Sequence, residues 1–186
     1  MKMNVSAAVA AVLVAIGVAG CVTVPPASYA NYANNTYTLR KFNGAKVRIG
    51  TFTDASHFDS GCRLVGPTKT AGDRPIPEFI HDSLNDEFKF AGIYSDEQSA
   101  VNLAAVLQSA KFSSFSGVTG GYWSFSLQLS NPANGRSLTA NSQYNFDSGF
   151  DADTACRNVT NALTPAVQRL INKAVTDPSF GPLIGR

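Results

Sequence analysis

Between Tyr122 and Ser130 the sequence alternates without a break. Trp123, Phe125, Leu127 and Leu129 fall on one side, and Ser124, Ser126, Gln128 and Ser130 on the other. A period of two sends successive side chains to opposite faces of a strand, whereas a helix would scatter those four apolar residues around its circumference. Turn residues follow at once in Asn131-Pro132-Ala133-Asn134-Gly135, a hairpin signal. The returning stretch sets Leu138, Ala140, Tyr144 and Phe146 against Thr139, Asn141, Gln143 and Asn145. This pair of strands therefore has one apolar face that something else must cover.

The cover is written on either side of it. Ile76, Phe79, Ile80, Leu84, Phe88 and Ala91 recur at helical spacing, with Pro77 in the first turn and Gly92 as a stop. Val159, Leu163, Val167, Leu170, Ile171 and Ala174 form a second stripe, predicting a helix over about 154–175 with acidic residues at its start. Pro165 lies inside that stripe and is expected to kink or split the helix after Thr164. Two further strands are expected, at Lys46–Phe52 and at Val101–Phe112, where Leu103, Ala105 and Leu107 alternate with Asn102, Ala104, Val106 and Gln108. The order β-α-β-β-β-α predicts a two-layer α+β sandwich: a four-stranded mixed sheet with two helices on one face. A tail around Pro178–Ile184 is expected to cap it.

With 186 residues, 44% hydrophobic and 15% charged, the chain suits one domain. Its net charge of +2 and lack of any basic run argue against a nucleic-acid partner. The first residues follow a different logic. Lys2 precedes an apolar stretch from Val5 to Val18, and Val18-Ala19-Gly20-Cys21 resembles the lipobox of bacterial lipoproteins. On that reading residues 1–20 are a signal peptide removed before Cys21, which is then acylated. An uncleaved membrane-spanning anchor is the alternative. Val22, where an Asp would favour retention in the inner membrane, leans toward the outer membrane, with the domain facing the periplasm. Residues 21–45, rich in Pro, Ser, Asn and Ala, read as the acylated cysteine and a flexible tether, with Tyr29, Tyr32 and Tyr37 able to dock on a domain spanning 46–186.

In an oxidising compartment the remaining cysteines, Cys62 and Cys156, are expected to pair, with two free buried thiols as the alternative. Element order supports pairing. If the first and second strands run parallel, the first and last do too, and both cysteines lie at one end of the sheet.

Residues 76–186 resemble the YajG-like lipoprotein family, whose general fold also occurs in the lipopolysaccharide-assembly lipoprotein LptE and the N-terminal domain of TolB. The resemblance rests on the amphipathic helix, the strand start Val101-Asn102-Leu103, the hairpin at Asn134-Gly135, the long final helix and the tail Thr176-Asp177-Pro178-Ser179-Phe180. It implies an envelope location and a fold, and no catalytic motif. The cysteine pair and the long N-terminal segment depart from the family's pattern.

Candidate chemistry is sparse. Asp54, His57 and Asp59 could be offered to a metal, or His57 to Ser56, but no paired ligand spacing and no nucleophile elbow accompany them. Asp147, Asp151 and Asp153 lack the ligand order of a calcium loop. His81 reads as a boundary residue. No metal, cofactor or enzymatic activity is expected. What stands out is the uncharged outer face of the strands: Asn102, Gln108, Tyr122, Ser124, Ser126, Gln128, Ser130, Thr139, Asn141, Gln143 and Asn145. Such a face costs little to desolvate compared with ions. It could pack against an envelope protein, a second copy or a glycan, or it could simply face solvent. Phe115 and Val118, in the loop before the hairpin, add a small candidate contact patch.

Overall fold

The computed structural model describes residues 26–186, so the expected signal peptide and the expected acylation site at Cys21 lie outside the described residues. Helix α1 spans Ala33–Arg40 and strand β1 Val47–Asp54. Two short strands, β2 (Gly61–Cys62) and β3 (Gly66–Pro67), precede helix α2 (Ile76–Ala91). Strands β4 (Val101–Ser116), β5 (Gly120–Asn131) and β6 (Arg136–Asp147) follow in succession, then helix α3 (Ala152–Val175) and the short α4 (Phe180–Leu183). The main sheet has the order β1-β4-β5-β6, while β2 and β3 form a separate small ladder. β1 runs parallel to β4, and the other two pairings are antiparallel. This is the expected α+β sandwich, with a mixed four-stranded sheet and α2 and α3 packed on one face.

The alternation of β5 is realised in full, with Trp123, Phe125, Leu127 and Leu129 buried. Trp123 anchors the core. Its indole N–H donates to the Val159 carbonyl of α3 at 2.9 Å, and its ring packs on Phe125 at 5.4 Å, Phe112 at 4.9 Å and Phe58 at 5.8 Å. Giving the indole a partner is what makes burial of this large side chain favourable. Gly92 takes the left-handed conformation (φ 80°) that ends α2, its N–H returning to the Lys89 carbonyl. Asp151 caps α3 by accepting from the Thr154 N–H, and that bond holds its carboxyl below the usual carboxylate range. The tail caps the core as expected. Phe180, Leu183 and Ile184 are buried, and Asn131 donates to the Leu183 carbonyl at 2.8 Å.

Three expectations need correction. α3 is one helix, not split at Pro165. Asn161, whose carbonyl loses its partner to that proline, is exposed, so water can satisfy it. The strands are longer than the patterns suggested, and β4 carries a bulge between Leu107 and Ser109 that shifts its alternation by one residue. Beyond it Ala110 is buried and Lys111 faces out.

The third correction concerns the tether. Residues 26–45 are folded onto the domain, and α1 packs across α2 and α3 with Leu39 fully buried. The fastening point is Glu87 of α2, itself fully buried. One of its carboxylate oxygens accepts from the Tyr29 hydroxyl at 2.5 Å, the Tyr32 backbone N–H at 2.8 Å and the Asn35 amide at 3.3 Å. Burial and the adjacent Glu87 carboxylate hold the Tyr29 phenol far above its ordinary range, so it stays a donor. Asn35 also donates to the Gln168 carbonyl and accepts from Asn172, tying the same segment to α3. Of the three tyrosines, Tyr29 docks and Tyr37 stays exposed.

Candidate functional site

The sheet has one covered face and one open face. On the open face β6 presents Thr139, Asn141, Gln143 and Asn145, all exposed, and β5 presents Tyr122, Ser124, Ser126 and Gln128, half-buried between neighbours. Register aligns them in rows: Gln128 with Thr139, Ser126 with Asn141, Ser124 with Gln143, and Tyr122 with Asn145. β4 extends the rows with Val106, Ser109, Lys111 and Ser113. Gln108, at the bulge, accepts from Ser126 at 3.1 Å, and Gln143 donates to Asn145 at 2.9 Å. The surface is therefore partly pre-organised by its own amides and hydroxyls. It is less neutral than the sequence suggested. Lys111 joins it because the bulge reverses parity, and Arg48 of β1 faces the same way beside Asn102. A strict period of two could not have placed Lys111 there.

The two edges of the sheet differ sharply. β1 is short and bulged at Gly50, where Asn85 occupies both the N–H and the carbonyl of Ile49. His81 reaches that carbonyl too, at 3.1 Å, and Val47 bridges to Tyr94. β6 has none of this. Its 12 residues pair with β5 in unbroken register, and no proline or charge lies between Ser137 and Phe146. Among the described residues, no other element donates a backbone hydrogen bond to its outer side. Natural sheets usually blunt such an edge with charge, proline or a bulge, and an unblunted one is a template for adding a strand.

The cysteines meet as anticipated. Cys62 and Cys156 form a disulfide with Cα atoms 5.8 Å apart, joining the β2–β3 turn to the first turns of α3. Around them three loops converge at one end of the sheet. Arg63, in a left-handed conformation (φ 48°), donates from its guanidinium to the Ser114 side chain and carbonyl and to the Phe150 carbonyl at 3.0 Å. Ser148, fully buried, donates to the carbonyls of Thr119 and Ser114 and accepts from Asn158. The loops are thus fixed to each other and to α3.

The candidate catalytic and metal residues do not assemble. Asp54 accepts from the N–H and hydroxyl of Ser56, and Asp59 accepts from the N–H of Gly61, so both serve local turns. His57 meets neither carboxylate. Among the described residues no three His, Cys, Asp or Glu side chains gather at a point that could hold a metal ion. Nor, among them, is any helix long and apolar enough to cross a membrane.

Fold and surface define a two-layer α+β domain with a helical side, an open polar side and one unprotected edge. No family model matches the chain, and no curated protein does. Among solved structures, a candidate lipoprotein from Caulobacter crescentus CB15 is similar at a TM-score of 0.40 and 12% identity, over 78% of this chain and 92% of that one. A second, an uncharacterized protein, is similar at a TM-score of 0.44 and 9% identity, over 79% of this chain and 97% of that one.

Proposed function

We propose that the chain is a lipoprotein of the YajG-like kind, cut before Cys21, acylated there and held at the outer membrane facing the periplasm. It serves as a non-enzymatic accessory subunit of an envelope assembly or transport complex. The anchor reading rests on the residues leading to Cys21, with several acyl chains making attachment effectively permanent. The interaction reading rests on one observation: the open face and the bare β6 edge adjoin. A partner, or a second copy, could add a strand to β6 and lie along the Thr139–Asn145 row without desolvating a single ion.

The test is crosslinking and affinity isolation of the acylated full chain from native membranes. It is repeated with Asn141→Lys and Gln143→Glu, which charge the edge row, and with Glu78→Lys at an exposed position of α2. An envelope protein recovered with the parent and the α2 variant, and lost with the edge variants, supports the reading. Equal recovery from all four, or no specific protein from any, overturns it. The competing reading is a glycan or lipid headgroup bound on the same face beside Tyr122. Direct binding of peptidoglycan fragments, capsule sugars or lipopolysaccharide, abolished by Tyr122→Ala, would replace the first.

A further inference from the structure

Five large apolar side chains stand exposed on the three tied loops. Leu64 is 104% exposed, Phe150 77%, Val118 71%, Phe115 70% and Val65 43%. They come from the β2–β3 turn, the β4–β5 hairpin and the β6–α3 connection. Loops carrying exposed apolar residues are usually mobile, but these are held by Arg63, Ser148 and the disulfide. A rigid, protruding apolar end exposes surface at a standing cost and signals a contact.

The start of the described chain indicates what it contacts. Ala27 forms a parallel bridge with Thr70, its N–H donating to the Lys69 carbonyl. The chain before Thr70 leads back through β3 to Leu64 and Val65, so the backbone from Ala27 to Pro26, the first described residue, points the same way. α3 agrees. Ser28 meets Thr164 and Ala30 meets Gln168, while α3 itself begins at the loop end. Four residues lie between Cys21 and Pro26, and the five steps along the chain reach at most roughly 18 Å.

We propose that this end is a second membrane contact: Leu64, Val65, Phe115, Val118 and Phe150 enter the interfacial layer of the same leaflet that holds the acyl chains. The proposal rests on acylation of Cys21. Acyl chains on Cys21 place the leaflet within about 18 Å of Pro26, and the chain leaves the domain toward these side chains. Asp147 and Asp151 flank Phe150 while Arg63 precedes Leu64, so charges of both signs rim the patch and apolar contact with neutral lipid suffices.

The experiment uses the acylated full chain in phosphatidylethanolamine–phosphatidylcholine vesicles. With Cys21 blocked by acyl chains and Cys62 bound to Cys156, a newly introduced cysteine is the one free thiol for a spin label. Labels at Val65→Cys, Val118→Cys and Phe150→Cys are expected to collide more with oxygen than with a water-soluble nickel chelate. A label at Ser137→Cys, at the far end of β6, is expected to show the reverse. Tip labels as accessible to nickel as Ser137→Cys overturn the proposal and leave the anchor standing. Tip labels shielded from both agents reveal a protein there and overturn it as well. Mass spectrometry of the same preparation separates the two readings: an unmodified Cys21 in a chain that does not float with the vesicles removes the anchor, and this proposal with it.

Discussion

Single residues carry much of what distinguishes this domain. Glu87 was unremarkable in the sequence, an acidic residue on a helix whose apolar stripe was already accounted for. In the structure it is the fully buried acceptor that fastens the N-terminal segment. Periodicity cannot reveal such a residue, because the donors it needs lie more than 50 positions away. Glu87→Ala would strand those donors and is expected to cost about 3 kcal/mol. Chemical denaturation would measure the loss, and hydrogen exchange would show protection falling first across residues 29–40. Glu87→Gln, which keeps an acceptor oxygen, should lose less. If α1 kept its protection in Glu87→Ala, the docking would have to come from Leu39 and the bonds of Asn35.

At the scale of elements, the sequence was most legible where one pattern ran long enough to exclude others. β5, β6, α2 and the α3 stripe were all readable, because burial on one side leaves a period that nothing else mimics. Legibility ended where an extra residue entered a strand, as at Gln108, or where tertiary contacts ordered a segment of weak intrinsic pattern, as in α1. Gly121 marks another such place. A Cβ there would lie 2.6 Å from the Phe146 ring and 2.8 Å from the Ser113 carbonyl oxygen. Gly121→Ala is therefore expected to destabilise the sheet by about 1–3 kcal/mol. Adding Phe146→Ala should not restore the loss, since the carbonyl belongs to the paired strand and cannot move aside. Recovery to parental stability in the double variant would show the ring to be the sole obstacle.

For the whole molecule, the disulfide joins positions 94 residues apart. Replacing both cysteines by serine should remove up to about 4 kcal/mol, which for a domain of this size lowers Tm by roughly 10 °C. A calorimetric scan of the acylated chain with and without reductant, beside the Cys62→Ser, Cys156→Ser variant, would read this directly. The site was partly legible at this scale. The neutral rows could be read, but the contrast between the two sheet edges and the gathering of apolar loops depends on topology that no single stretch encodes.

The position of the staple also constrains biogenesis. If the chain is exported as proposed above, Cys156 enters the compartment long after Cys62, and the bond forms only when nearly the whole domain has been translocated. Before that Cys21 and Cys62 can pair only with each other, and once Cys156 arrives three thiols allow three pairings. Once Cys21 becomes a thioether only one remains, and a disulfide isomerase has no error to repair. The order of lipidation and oxidation thus decides whether maturation needs proofreading: a chain lipidated first requires an oxidant alone.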